Sequence, residues 1–178
     1  MSEVTEAIIA RAKKIKALVL DVDGVMTDGS LMIGDDGQEY KVFHAHDGLG
    51  MKLLNKTDVK MAIITGRTSN VVKIRAETNH IEHCYQGVED KVWAFDDLIN
   101  KLGINPEEAA FMGDDIVDIP AMRKCGLAIT VPTAQSPVNA YAHYVTSSQA
   151  GKGAVREVCE LIMKAQNTFE PITNKYFK

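Results

Sequence analysis

The sequence predicts an α/β fold, a mostly parallel sheet flanked by helices in a single domain spanning 1–178. Three observations carry this. Four short runs, at 17–20, 61–64, 109–112 and 127–131, are almost wholly apolar, as strands buried on both faces are. Between them the apolar residues recur at helical spacing, so strands and helices alternate. The chain has 178 residues, 46% of them hydrophobic, and no linker or low-complexity tract, which suits one core.

The elements follow in order. Val4, Ile8 and Ala12 predict a short helix over 4–14. Ala17-Leu18-Val19-Leu20 is the first strand and ends at Asp21. Residues 30–43 then break the rhythm. Leu31-Met32-Ile33, Gly34-Asp35-Asp36-Gly37 and Tyr40, Val42 and Phe43 put Asp-Gly between two apolar runs, which signals a β-hairpin. A hairpin inserted after the first strand finds few core faces left to cover. Its apolar residues Leu31, Ile33, Tyr40 and Val42 call for a partner, such as another copy of the chain. Helical patterns follow around 47–57, 67–78, 89–102 and 115–124, with a strand near 81–85; a last helix covers 153–166 and a tail runs over 167–178.

Composition excludes some classes of function. A net charge of −4 gives no bulk attraction to nucleic acid or an anionic membrane. No apolar run reaches the roughly 18 to 20 residues that span a bilayer. Glu3 and Glu6 precede the first basic residue, unlike a signal peptide. Cys84, Cys125 and Cys159 are odd in number and widely spaced, so they read as reduced thiols in a cytoplasmic protein.

Four elements carry chemistry. Asp21-Val22-Asp23-Gly24 places two carboxylates at the carboxyl end of a parallel strand, where open α/β sheets bind ligands. Their spacing suits a nucleophile and an acid/base beside a shared metal, though an isolated D-x-D also fits an acidic loop or a helix cap. Gly113-Asp114-Asp115-Ile116-Val117-Asp118 follows another strand. Its Asp114, with Asp21 and Asp23, offers the hard oxygen donors that Mg²⁺ takes, and Asp118 lies one turn on. The same stretch fits an N-cap with first-turn acids. Ile64-Thr65-Gly66-Arg67 puts a hydroxyl at a strand end opening a helix, suited to a phosphate oxygen or to an ordinary N-cap. Lys91 starts a helix, where the helix dipole disfavours a cation without anionic company.

In this order and spacing the four elements resemble the haloacid dehalogenase superfamily of phosphotransferases. Within it the chain is most similar to the bacterial 3-deoxy-D-manno-octulosonate 8-phosphate phosphatases. The stretches that carry this are Asp21 to Gly29, Asp47-Gly48-Leu49-Gly50, Ile64 to Arg67 and Gly151 to Glu157. The resemblance implies a Rossmann-like, HAD-like fold. It also implies Mg²⁺ held by Asp21, the Asp23 carbonyl and Asp114; attack by Asp21 to give an aspartyl-phosphate; and Asp23 as acid and then base. Thr65 and Lys91 would hold phosphoryl oxygens, with Asp118 or Asp115 orienting Lys91. Asp23, His44, Ala45, His46, Asp47, Gly48, Lys52, Arg67, Arg75 and Lys91 would contact a small sugar acid phosphate. His46 stands where relatives commonly carry Arg, and Lys52 where some do.

The stretches from Asp21 to Thr65 and from Thr65 to Lys91 are used up by predicted elements, so the fold is expected to be capless. Another subunit is then the natural lid, and the resemblance implies a homotetramer assembled through the 30–43 hairpin. The expected role is in lipopolysaccharide synthesis. A phosphatase for a nine-carbon, sialic-type sugar acid phosphate keeps the same chemistry with another substrate. An idle scaffold would need none of Asp21, Asp23, Thr65, Lys91 and Asp114.

Overall fold

The structure, a computed structural model, describes residues 4–178; Glu3, whose charge entered the reading of the N-terminus, lies outside them. Helix α1 (Glu6–Ala12) leads into strand β1 (Ala17–Leu20) and then the hairpin strands β2 (Met32–Ile33) and β3 (Glu39–Tyr40). Helix α2 (Ala45–Leu54), β4 (Lys60–Ile64), α3 (Asn70–Thr78), β5 (His83–Tyr85) and α4 (Lys91–Leu102) follow. The second half runs β6 (Ala109–Met112), α5 (Ile119–Met122), β7 (Leu127–Thr130), α6 (Ser136–Asn139), β8 (Tyr144–Val145), α7 (Ala154–Ala165) and α8 (Phe169–Thr173).

The main sheet has the order β5-β4-β1-β6-β7-β8, and each neighbouring pair is parallel. Alternation along the central strands splits the core in two. Leu18, Leu20, Met61, Ile63, Met112 and Ile129 pack with α1, α2 and α7 on one face. Ala17, Val19, Ile64, Phe111 and Ala128 pack with α4 and α5 on the other. Setting the hairpin aside, chain order reverses between β1 and β6, the switch point where open α/β sheets form a crevice. Among the described residues no helix is long and apolar enough to cross a membrane.

Several expectations change. The helix expected over 115–124 is a 3₁₀ turn at Ile116–Asp118 followed by the four-residue α5. Pro120 supplies no N–H, and the Asp118 side chain takes the backbone N–H groups of Asp114 and Asp115 instead. Helix α3 starts at Asn70 after the N-cap Ser69, so Thr65-Gly66-Arg67 is loop and Thr65 caps nothing. Strand β8 and helices α6 and α8 are too short for periodicity to signal.

The hairpin forms as a separate two-stranded ribbon, but its faces are not those expected. Met32 pairs with Tyr40 and Ile33 with Glu39, in a register fixed by the turn bonds Gly34 N–H to Gln38 O (2.8 Å) and Gly37 N–H to Gly34 O (2.9 Å). Directly paired residues share a face. Ile33 therefore goes with Glu39, and Leu31, Ile33, Tyr40 and Val42 do not form one apolar side. All four are exposed, as is Met32. The stretch from β1 to β4 holds this hairpin and α2, and the stretch from β4 to α4 holds α3 and β5.

Candidate active site

The carboxyl ends of β1, β4 and β6 meet at the switch point. Leu20 pairs with Ile63 on one side and Met112 on the other, and the Asp21 N–H donates to Met112 O at 3.0 Å. The residues just beyond these strand ends converge on a cleft of about 490 Å³ lined by Asp21, Asp23, Thr65, Arg67, Lys91, Asp114 and Asp115, with Val88 and Val117 as apolar wall. A larger concavity of about 740 Å³ lies at the amino ends of the same strands, but its Lys13, Lys14, Lys16, Glu107 and Glu108 make no comparable convergent cluster. Chemistry singles out the site, not volume.

Lys91 is the centre of the charge arrangement. It is the first residue of α4, only 3% exposed, with Nζ 2.9 Å from Asp21 Oδ2 and 2.5 Å from Asp118 Oδ1. Burial disfavours the ammonium, but the two carboxylates outweigh it and hold its pKa above the ordinary lysine value. They also supply the anionic company that its position in the helix dipole demands. Asp118 is fully used: Oδ1 meets Lys91, while Oδ2 accepts from the N–H groups of Asp114 (3.0 Å) and Asp115 (3.1 Å). Asp115 is exposed and accepts from the Ile116 N–H at 2.7 Å. Of the two carboxylates considered for orienting Lys91, Asp118 is the one in contact.

Oxygens of Asp21, Asp114 and Asp118 lie within 4.8 Å of one another. Burial and repulsion from Asp21, Asp118 and Asp115 push Asp114 up to about 7. Burial and Asp118 push Asp21 up to about 6, against the pull of Lys91. Asp114 Oδ1 is buried without a hydrogen-bond partner. An all-oxygen donor set with an orphaned carboxylate oxygen fits a hard divalent cation such as Mg²⁺. Asp118 is engaged as described, and Asp21 too has both oxygens met, Oδ1 by the Val22 N–H at 2.7 Å and Oδ2 by Lys91, so the free oxygen of the group is on Asp114. Gly24, with φ of +88°, makes room: a Cβ there would overlap the Asp114 carboxylate.

Thr65 is buried at the β4 end, its N–H bonded to Tyr85 O (2.9 Å) and its carbonyl accepting from Val88 N–H (3.1 Å). Asp23 is flanked by cations: Lys41 Nζ is 2.5 Å from Oδ1, and Arg67 Nε is 3.8 Å from Oδ2. Glu39 ties both down, 2.6 Å from Lys41 Nζ and 2.8 Å from Arg67 Nη2. Sequence reasoning missed Glu39 and Lys41. Their alternation with Tyr40 and Val42, polar against apolar at period two, was the available signal.

The other expected substrate residues, His44, Ala45, His46, Asp47, Gly48, Lys52 and Arg75, do not line this cleft. His44 is the N-cap of α2, and Ala45, His46 and Lys52 are exposed on that helix. Arg75 Nη2 donates to His44 O at 3.1 Å and its guanidinium lies 5.1 Å from the Phe43 ring centroid. A Cβ on Gly48 would crowd that guanidinium. Asp47 is 2% exposed, and its carboxylate accepts from the N–H groups of Gly153 (3.3 Å) and Arg156 (2.8 Å). Gly50 lets the Arg156 backbone approach. Thus the Asp47–Gly50 and Gly151–Glu157 stretches dock α2 against α7.

Residues 55–158 match the profile of the haloacid dehalogenase-like hydrolases. The chain is 44% identical over 170 residues to a 3-deoxy-D-manno-octulosonate 8-phosphate phosphatase of Yersinia pestis, covering 96% of this chain and 91% of that protein. Its fold is similar to that of the Moraxella catarrhalis phosphatase of the same name, solved in complex with magnesium, phosphate and KDO. That match has a TM-score of 0.92 and 42% identity, over 94% of this chain and 97% of the other. It is also similar to the cobalt-bound form of the Haemophilus influenzae phosphatase, with a TM-score of 0.88 and 36% identity over 94% and 98% of the two chains.

Proposed function

The chain belongs to the 3-deoxy-D-manno-octulosonate 8-phosphate phosphatase family of the haloacid dehalogenase-like hydrolases, and on that premise we propose that it is a Mg²⁺-dependent phosphatase releasing phosphate from that sugar acid ester. The observation that carries this is the convergence of Asp21, Asp114 and the buried Lys91 in one cleft. A carboxylate held 2.9 Å from a buried ammonium, beside a second carboxylate with an orphaned oxygen, suits a nucleophile that must meet an anionic phosphoryl group.

Asp21 attacks phosphorus through a carboxylate oxygen and becomes the aspartyl-phosphate. Lys91 offsets the repulsion between that carboxylate and the phosphoryl oxygens, and Thr65 holds one of those oxygens. Asp23 gives a proton to the leaving sugar oxygen, then takes one from the water that hydrolyses the intermediate. Mg²⁺, held by Asp21, Asp114 and the Asp23 carbonyl, supplies positive charge against the charge that develops on the phosphoryl oxygens.

Arg67, half exposed at the cleft, suits the sugar acid's carboxylate. His44, Ala45, His46, Gly48, Lys52 and Arg75 would reach substrate only across a subunit boundary, which accords with a homotetramer built through the exposed hairpin with a neighbouring copy as lid in place of a cap domain. Asp47, with its carboxylate spent on α7, fits that role poorly. The product would enter lipopolysaccharide synthesis in the cytoplasm. The test is phosphate release from a panel of eight- and nine-carbon sugar acid phosphates with and without Mg²⁺. The eight-carbon ester should give the highest kcat/KM; preference for a nine-carbon ester, or no turnover of either, would overturn the assignment.

A further inference from the structure

The hairpin carries more than an exposed apolar surface. Along residues 39–42 the side chains alternate. Tyr40 and Val42 are 53% and 72% exposed, whereas the Glu39 and Lys41 side chains are 15% and 1% exposed. Lys41 extends inward to Asp23 Oδ1, across 18 residues of sequence. Its ammonium also meets Glu39, and Glu39 in turn meets Arg67, so two anions and two cations alternate in a chain: Asp23, Lys41, Glu39, Arg67. Burying a lysine side chain this fully is costly unless its charge is paired, and here both partners are within 2.6 Å.

Resting on the phosphatase reading above, we propose that Lys41 is a positioning residue for Asp23, and that Glu39, through Lys41 and Arg67, fixes the hairpin to the site. Lys41 occupies Oδ1 of Asp23. The other oxygen, Oδ2, is buried and has no hydrogen-bond partner, with Arg67 Nε near it at 3.8 Å. The carboxyl group is therefore oriented with one oxygen anchored and one left to carry the transferable proton. As the bond from phosphorus to the sugar oxygen breaks, that proton goes to the sugar oxygen, leaving a sugar hydroxyl, the phosphoryl group on Asp21 and an Asp23 carboxylate. Without Lys41 the Asp23 side chain loses its fixed rotamer and the proton is no longer aimed. The hairpin thus belongs to the active site of its own chain, besides any contact it makes with a neighbour.

The experiment compares kcat/KM for two esters across wild type, Lys41→Met, Lys41→Arg and Glu39→Gln. One ester is the sugar acid phosphate that wild type hydrolyses best, whose alkoxide needs a proton to leave. The other is p-nitrophenyl phosphate, whose phenolate leaves without one. kcat/KM covers only the steps through departure of the leaving group, so Asp23's later work as base does not enter. Lys41→Met should lose about 100-fold on the sugar ester, the scale of a misaimed general acid, and less than about 5-fold on p-nitrophenyl phosphate. Lys41→Arg should restore much of the loss, and Glu39→Gln should show the same selectivity more weakly. Thermal melting and circular dichroism of each variant exclude unfolding as the cause. Equal losses on both esters in a folded Lys41→Met protein, or no loss on either, would overturn the proposal. Should Lys41→Met not fold, the Lys41→Gln ratio decides in the same way. A wild type inactive on every sugar acid phosphate would instead refute the phosphatase assignment.

Discussion

The Asp47 carboxylate accepts the backbone N–H of Arg156 at 2.8 Å, joining α2 to the first turn of α7 across 109 residues. Its second bond, from Gly153 N–H at 3.3 Å, satisfies another donor at that helix start. Asp47→Ala should destabilise the fold by about 2 kcal/mol, the cost of orphaning buried donors at a helix start, while Asp47→Asn costs less because one acceptor remains. Well below the melting temperature, KM should be unchanged. A large rise in KM with an unaltered melting temperature would return Asp47 to substrate binding.

Asp21→Asn should abolish phosphate release yet leave the chain folded, since Lys91 keeps its partner Asp118 at 2.5 Å. The amide is a poor nucleophile and a poor ligand for a hard cation. Acid quench of wild type should trap phosphate on Asp21, and the variant should trap none. Residual turnover above a few per cent in a clean preparation would move the nucleophile elsewhere.

Asp114 and Asp21 make the metal-free protein sensitive to pH. Their folded values, about 7 and about 6, lie above the unfolded values near 4. The folded chain therefore holds protons that the unfolded chain has released, and stability falls as pH rises from about 4 to about 7. In EDTA, the melting temperature should drop across this window, and Asp114→Asn should flatten the drop. Mg²⁺ binds the ionised carboxylates, so it should restore stability mostly on the alkaline side, by about 2.7 kcal/mol at 100 times its Kd. A melting temperature indifferent to Mg²⁺ at pH 8 would argue against the site.

Dissociating the oligomer should cost turnover of the sugar acid phosphate but not of a small ester, once the hairpin's two sides are distinguished. Tyr40→Glu with Val42→Lys charges the outward side and leaves Glu39 and Lys41 in place. Light scattering should show dissociation, with turnover of p-nitrophenyl phosphate kept and turnover of the sugar acid phosphate lost. A dissociated variant with undiminished sugar ester turnover would show that each chain completes its own site.

The sequence by itself determined the layers and the chemistry at the strand ends. Uninterrupted apolar runs mark strands buried on both faces, and carboxylates directly after them fall where a parallel sheet must open, so Asp21, Asp23 and Asp114 were legible as a group. Lys91 was legible because a cation at a helix start is anomalous without an anion. What only the tertiary structure decided concerns partners chosen across long stretches of chain. Asp118 is drawn to Lys91 and to the backbone N–H groups of Asp114 and Asp115. Asp47 serves α7, and the pairing of Met32 with Tyr40 turns Lys41 inward to Asp23. Local pattern fixes which residues share a strand or a helix face. It does not fix which charged side chain is buried against which, because that depends on the few places in the packed fold where a desolvated charge finds its opposite.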